Sequence, residues 1–393
     1  MHRHPAPGRR LGFTLIELLV VIIIIGILMA LLIPAIASAV RNARGAAVQA
    51  EISSIAQALS DFKNKYGDYP PSRIALREDG GYDPTDTASL GNGATNDVTG
   101  GVLQLRGATA IRKFWPRVTM VNGAAFFAGT SGGTPATGWY DYNGDGVFQG
   151  STRLVLQGNE CLVFFLGGIA QPGANASGGA TVLGMTGFGK NPTNPFSNSI
   201  PPSGSGKAAV PSPMYSGNRN PPLYEFQPGR LRLNPATNMA LYVDSLNGTN
   251  NQAAAYFAYF SNNNGAGFDP NDLNAIEADH NTLSPITLNF LAPQGTTSSP
   301  SPNPYTTGPP AGTGVKTISY INGQSFQIFS SGTDGVFGLG GFFNATGTGG
   351  DPLPAYAAPS SPAVATDPTN SADPSVRTFE WDNLTNFHNG RLQ

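Results

Sequence analysis

Charged side chains are scarce in this chain. Asp, Glu, Lys and Arg make up 12% of its 393 residues, against roughly 25% in an ordinary globular protein. The formal net charge is −2, so there is no basic excess of the kind that marks a nucleic-acid partner. Cysteine is reduced to a single residue, Cys161, which excludes an intramolecular disulfide and leaves the redox compartment open. Its neighbours, Cys161-Leu162-Val163-Phe164-Phe165-Leu166, make it read as a buried small hydrophobe rather than a reactive thiol. Helix–strand alternation of the doubly wound kind is missing, and so is any internal repeat. Glycine and proline, in contrast, are plentiful at 50 and 33 residues. That composition predicts a modest core carrying long, weakly ordered loops.

The first 66 residues are organised differently from the rest. Residues 1–12 are short and basic, with Arg3, Arg9 and Arg10, a charge pattern that holds the preceding end of an apolar segment in the cytoplasm. The run Phe13–Ile33 that follows is long enough to span a hydrocarbon core as a helix. One carboxylate, Glu17, interrupts it near its start. A secretory signal is one reading, since Ala37-Ser38-Ala39 fits an A-x-A cleavage site. Such signals, however, have apolar regions of about 7–15 residues and no acid. A plain membrane anchor tolerates the length and leaves Glu17 without a role. Beyond Pro34, where the helix is free to kink, Val48, Ile52, Ile55, Leu59, Phe62 and Tyr66 recur at alternating steps of four and three. They form one apolar stripe on a continuing helix. Asp61 and Lys65 are spaced to pair one turn apart. Gly67, followed by Pro70 and Pro71, ends the helix. From Phe13 to Tyr66 such a helix is ~80 Å long.

The stretch Arg9-Arg10-Leu11-Gly12-Phe13-Thr14-Leu15-Ile16-Glu17 resembles the signal of type IV prepilins and type II secretion pseudopilins. The resemblance extends to the apolar helix and to Pro34. It implies a leader, residues 1–12, removed after Gly12 by a prepilin peptidase that then methylates the new amine of Phe13. It also implies that Glu17 of one subunit pairs with the Phe13 amine of a neighbour inside a filament. In a low-dielectric bundle such a pair is strong, whereas either charge alone is costly. The implied role is structural, not enzymatic: a subunit of a type II secretion pseudopilus or a type IV pilus-like filament. The implied partners are other pilin-like subunits, the inner-membrane assembly platform and membrane lipid. The implied location is the inner membrane, single-pass, with the head outside the cytoplasm. The competing reading is a membrane-anchored or exported enzyme or binding protein without a filament role.

The organisation expected is therefore a membrane half at 13–33, an amphipathic half at 34–66 and a head at 67–393. The turn "YGDYPPS" at 66–72 looks like the end-of-helix turn of the major pseudopilin group. Within the head, short apolar runs at Leu154–Leu156, Leu162–Leu166, Ala240–Val243, Val315–Ile321 and Phe326–Ser330 read as strands. Ala253–Phe260 fits a helix or a strand equally well. The fold class expected is α+β, with a small antiparallel sheet. Three segments poor in apolar residues, 190–222, 295–314 and 345–375, read as inserts.

Two stretches invite calcium. Asp141-Tyr142-Asn143-Gly144-Asp145-Gly146 matches the opening D-x-[DN]-x-[DN]-G of a calcium loop, with oxygen ligands at Asp141, Asn143 and Asp145. Its twelfth position is Thr152 rather than a bidentate Glu, and an ordinary Asp/Asn/Gly turn is the alternative. The segment from Ser330 to Gly338 resembles the late calcium loop of major pseudopilins, and "EWDNLTNFHNG" at 380–390 the acidic closing segment of related proteins. That resemblance implies ligands at Asp334 and Asp382 and at the Ser331 carbonyl; two unrelated surface turns are the other reading. The G-x-S-x-G match at Gly129–Gly133 lacks a strand–turn–helix setting, and Gly204-Ser205-Gly206-Lys207 lacks the upstream glycine of a phosphate loop.

Overall fold

The computed structural model describes residues 14–87, 99–129, 138–174, 180–197, 217–234, 237–247, 256–262, 268, 303–308, 319–333, 337, 340–344, 352–353 and 380–392. The chain forms two compact units, Met1–Ala47 and Val48–Gln393. One helix, α1 (Leu15–Tyr66, 52 residues), begins in the first and ends in the second. Pro34 lies inside it without ending it. The stop comes at Gly67, which adopts φ +86° and donates its N–H to the Lys63 carbonyl at 2.7 Å. That left-handed conformation is one only glycine adopts freely.

The described part of the first unit is helical from Leu15, and of its residues only Gly45 is buried. From Leu15 to Ile33 its large hydrophobic side chains are 44 to 82% exposed. It is the one described helix long and apolar enough to cross a membrane, with a mean hydropathy of 3.3 over its most apolar window. A helix that is hydrophobic all round belongs in lipid or among other helices.

The second unit is built on the remainder of α1. Val48, Ile52, Ile55, Leu59 and Phe62 are all fully buried, so the predicted stripe is the face that enters the core. The Phe62 ring meets Phe114 edge-on at 5.0 Å and Phe165 at 5.8 Å. Tyr66 lies against Trp115 at 5.6 Å. An ion pair closes over the same helix. Glu51 accepts from Arg230 Nη1 at 2.7 and 2.9 Å and from the Tyr242 hydroxyl at 2.6 Å. The Arg230 guanidinium also lies 4.3 Å from the centre of the Tyr242 ring. The Asp61–Lys65 pair does not form: Asp61 accepts from Gln57 at 3.1 Å, and the Lys65 ammonium lies over the Tyr66 ring.

Around this spine, among the described residues, lie α2 (Gly100–Phe114) and α3 (Gly158–Gly167) with thirteen short strands. These are β1 (Arg73–Arg77), β2 (Gly81–Tyr82), β3 (Val121–Asn122), β4 (Arg153–Gln157), β5 (Ala170–Ala174), β6 (Ala180–Met185) and β7 (Leu231–Leu233). They continue with β8 (Ala240–Tyr242), β9 (Ala258–Ser261), β10 (Asn303–Thr306), β11 (Phe326–Ser330), β12 (Gly340–Phe342) and β13 (Leu384–Thr385). Antiparallel pairs join β1 to β4, β5 to β6 and β7 to β8, and a three-stranded antiparallel sheet runs β13-β11-β9. The result is α+β with small antiparallel sheets, as expected, together with two short parallel pairs, β2–β3 and β10–β12.

One expected strand is corrected, and two of the expected inserts carry buried side chains. Leu162–Leu166 is not a strand but the middle of α3. A short, wholly apolar run has no period to distinguish the two, and the decision falls to its N-terminus. There the Gln157 N–H donates to the Glu160 carboxylate at 3.0 Å within a capping box, which starts a helix. Every residue of α3, Cys161 included, is buried. The segment 295–314 is not wholly without order, because Asn303–Thr306 forms β10 and Tyr305 is fully buried. The Tyr305 ring packs between Phe329 and Phe387, and Gln327 bonds both its N–H and its carbonyl. In the 190–222 segment, Phe196 is buried against Trp115 at 5.1 Å. There Arg219 donates to the carbonyls of Thr186, Gly187 and Ser197. Residues 198–216, like most of 345–375 and 315–318 of the expected strand Val315–Ile321, lie outside the described residues.

Phe62→Ala should therefore destabilise the second unit by about 3–5 kcal/mol, read as a lowered urea midpoint of the full chain in detergent. Ile25→Ala, on the exposed apolar helix, should leave that midpoint unchanged. Removing one member of the buried pair, as in Glu51→Gln, should cost about 3 kcal/mol. A double-mutant cycle with Arg230→Met should show most of that cost to be shared.

Candidate functional site

Gly12 and Phe13 lie outside the described residues. The described chain starts at Thr14, one residue before α1, and this is where Glu17 finds its partner. The Glu17 carboxylate accepts the Thr14 N–H and the Thr14 hydroxyl, both at 2.8 Å. The Thr14 Oγ1 in turn accepts the Glu17 N–H at 3.3 Å. Thr14 is the N-cap and Glu17 the third helical residue of a capping box. The spacing T-x-x-E was visible in the sequence as a helix start. The acid therefore has a local role, and an assembly role for Glu17 has to compete with it.

The D-x-N-x-D-G stretch forms a tight turn that closes on its own aspartates. Asp141 accepts from Gly144 N–H at 2.9 Å and from Gly146 N–H at 3.1 Å. Asp145 accepts from Val147 N–H at 2.7 Å, and Asn143 Oδ1 from Asp145 N–H at 3.1 Å. Gly144 and Gly146 both have left-handed φ, +76° and +72°. A Cβ at Gly144 would lie 2.2 Å from the Ala170 carbonyl oxygen, so the turn is wedged against β5. It is also tied outward. Asn143 Nδ2 donates to the Thr237 carbonyl at 2.8 Å, and Asn238 Nδ2 to Asp145 at 2.9 Å. Phe148, just after the turn, packs on Trp139, and both are buried.

A residue the sequence did not single out sits beside it. Glu78 follows β1 and is fully buried, as is Asp141 to within 1%. Glu78 Oε2 accepts the Gln149 N–H at 2.8 Å. Burial pushes the Glu78 carboxyl well above its ordinary value, and the Asp141 charge adds to this. Burial, then the charge of Asp145, pushes Asp141 up to about 8. Nothing local in the sequence marks Glu78, because the 63-residue separation from Asp141 closes only in the fold, where the Tyr140 N–H donates to the Glu78 carbonyl at 3.0 Å and β1 pairs with β4.

The closing loop is partly described. Ser331 is fully buried, and Asp382 accepts the N–H and hydroxyl of Thr333. A Cβ on Gly332 would lie 2.4 Å from the Asp382 carboxylate. The two segments are thus neighbours, not unrelated turns, while Asp334 lies outside the described residues. No three His, Cys, Asp or Glu side chains among the described residues already converge as a metal centre. Of the G-x-S-x-G stretch only Gly129 is described, and His388 stacks edge-on against Phe343.

Comparison with known proteins bears on the N-terminal segment. Residues 8–33 match the prokaryotic N-terminal methylation motif. The chain is 40% identical over 65 residues to the type II secretion system core protein G of Pseudomonas aeruginosa strain PAO1. That stretch is 16% of this chain and 46% of the relative, so the chain spans about half the length of the curated protein it matches. No solved structure matches the chain. The motif and this relative together mark the chain as pseudopilin-like.

Proposed function

We propose that this chain is a pilin-like structural subunit of a type II secretion pseudopilus or a related filament. A prepilin peptidase cleaves it between Gly12 and Phe13 and methylates the Phe13 amine. The apolar part of α1 holds it in the inner membrane and then packs among other pilin-like subunits on the assembly platform. The observation that carries this reading is the methylation motif over residues 8–33, which runs into the part of α1 whose large apolar side chains, from Leu15 to Ile33, are exposed. That surface calls for lipid or neighbouring helices, and a filament offers both in turn. Within it Glu17 neutralises the amine of an adjacent subunit and fixes the register between them.

The capping box supports a second reading, in which Glu17 only starts the helix of a membrane anchor. Glutamine distinguishes the two. It serves a capping box as glutamate does, yet carries no charge. In the filament reading, Glu17→Gln and Glu17→Ala are both cleaved and inserted, and both are lost from sheared or cross-linked polymers. In the anchor reading, Glu17→Gln enters every assembly the parent enters. Polymerisation of Glu17→Gln at the parent level would refute the charge-pairing role.

A further inference from the structure

We propose that the turn Asp141–Gln149 is a calcium site, and that Glu78 supplies the acidic ligand the turn itself lacks. The ligands would be the side chains of Asp141, Asn143 and Asp145, the Val147 carbonyl and the Glu78 carboxylate. This inference is independent of the filament reading.

A loop of this kind offers oxygens at its first, third, fifth and seventh positions, needs glycine at the sixth and closes with a bidentate glutamate at the twelfth. Five of these six requirements stand in order here: Asp141, Asn143 and Asp145 alternate, the seventh position is Val147, and Gly146 sits at the sixth with φ +72°. Asp141 already accepts the N–H groups of Gly144 and Gly146, which orients the carboxylate into the concave side of the turn. The twelfth position, Thr152, is exposed and uncharged. Glu78 takes its place from another part of the chain. Its Oε2 is anchored on the N–H of Gln149, the ninth position. Its Oε1 is buried and has no hydrogen-bond partner. A buried carboxylate oxygen left unpaired is costly, and one held against a turn that carries two further aspartates is an arrangement a hard cation relieves.

Nearby arginines are occupied elsewhere. Arg77 is paired with Asp79 at 2.5 Å. Arg219, whose charge bears on Asp141, donates to three main-chain carbonyls. Calcium fits better than a softer ion, because every candidate ligand is oxygen and the set includes an amide and a carbonyl. Binding would draw Glu78 Oε1 onto the ion and tie the end of β1 to the turn before β4.

The test is calorimetric titration of calcium into the full chain in detergent, in an Asp382→Asn background that removes the described carboxylate of the closing loop. Saturable binding at one site is expected there. Adding Glu78→Gln, which keeps shape and removes charge, should weaken it by about tenfold or more. Hydrogen exchange on the unmutated chain needs no variant to fold: calcium should slow exchange in peptides covering 76–82 and 139–150. The proposal is overturned if the Asp382→Asn chain takes up no calcium. It is overturned equally if Glu78→Gln binds as tightly as its parent, or if calcium slows exchange only elsewhere.

Discussion

The burial of one face of α1 organises the second unit. Five aliphatic and aromatic side chains from Val48 to Phe62 are removed from water entirely, each contributing roughly 1.5–3 kcal/mol. The aromatic cluster around them draws on Phe114 and Trp115 at the end of α2 and on Phe165 of α3. Strands as short as those here cannot hold a sheet alone. They are assembled against the buried face of a long helix. Glu51, Arg230 and Tyr242 add a direction to that packing: a charge pair with 11 and 17% side-chain exposure forms only in one rotation of the helix against β7 and β8.

The same helix carries the opposite demand at its other end. Between Leu15 and Ile33 it has no polar face and no partner within its own unit. The sole acid there, Glu17, is folded back on Thr14. A capping box satisfies helix N–H groups that lipid could not, so the residue is useful before any neighbour arrives. Assembly, in the proposed reading, exchanges that local partner for an intersubunit one. On that reading the carboxylate has a partner at both stages.

What the sequence made legible was periodic or punctuated. The stripe from Val48 to Phe62, the stop at Gly67, the strands β4, β8 and β11 and the burial of Cys161 all follow from spacing or from flanking turn residues. Helix α3 is not legible because an unbroken apolar run carries no period, and its capping box involves a glutamine and a glutamate that also suit a loop. Helix α2 went unnoticed because Gly100, Gly101 and Gly107 dilute its pattern; a Cβ at Gly107 would lie 2.4 Å from the Ala75 carbonyl oxygen, so that glycine serves close packing, not a turn. The D-x-N-x-D-G turn was legible as a local motif. Glu78 was not, since its place beside that turn depends on contacts between segments far apart in the chain. Glu51–Arg230, separated by 179 positions, was hidden for the same reason.

The most direct test of the account is mass spectrometry of the N-terminus of the protein taken from its native membranes. The account predicts a chain beginning with N-methylated Phe13, with Gly12 and everything before it removed. A chain beginning at Val40, after the Ala37-Ser38-Ala39 site, would contradict it, because the apolar helix would then be a discarded secretory signal. A chain retaining residues 1–12 in mature, assembled material would contradict it as well, by leaving no free Phe13 amine for Glu17 to meet.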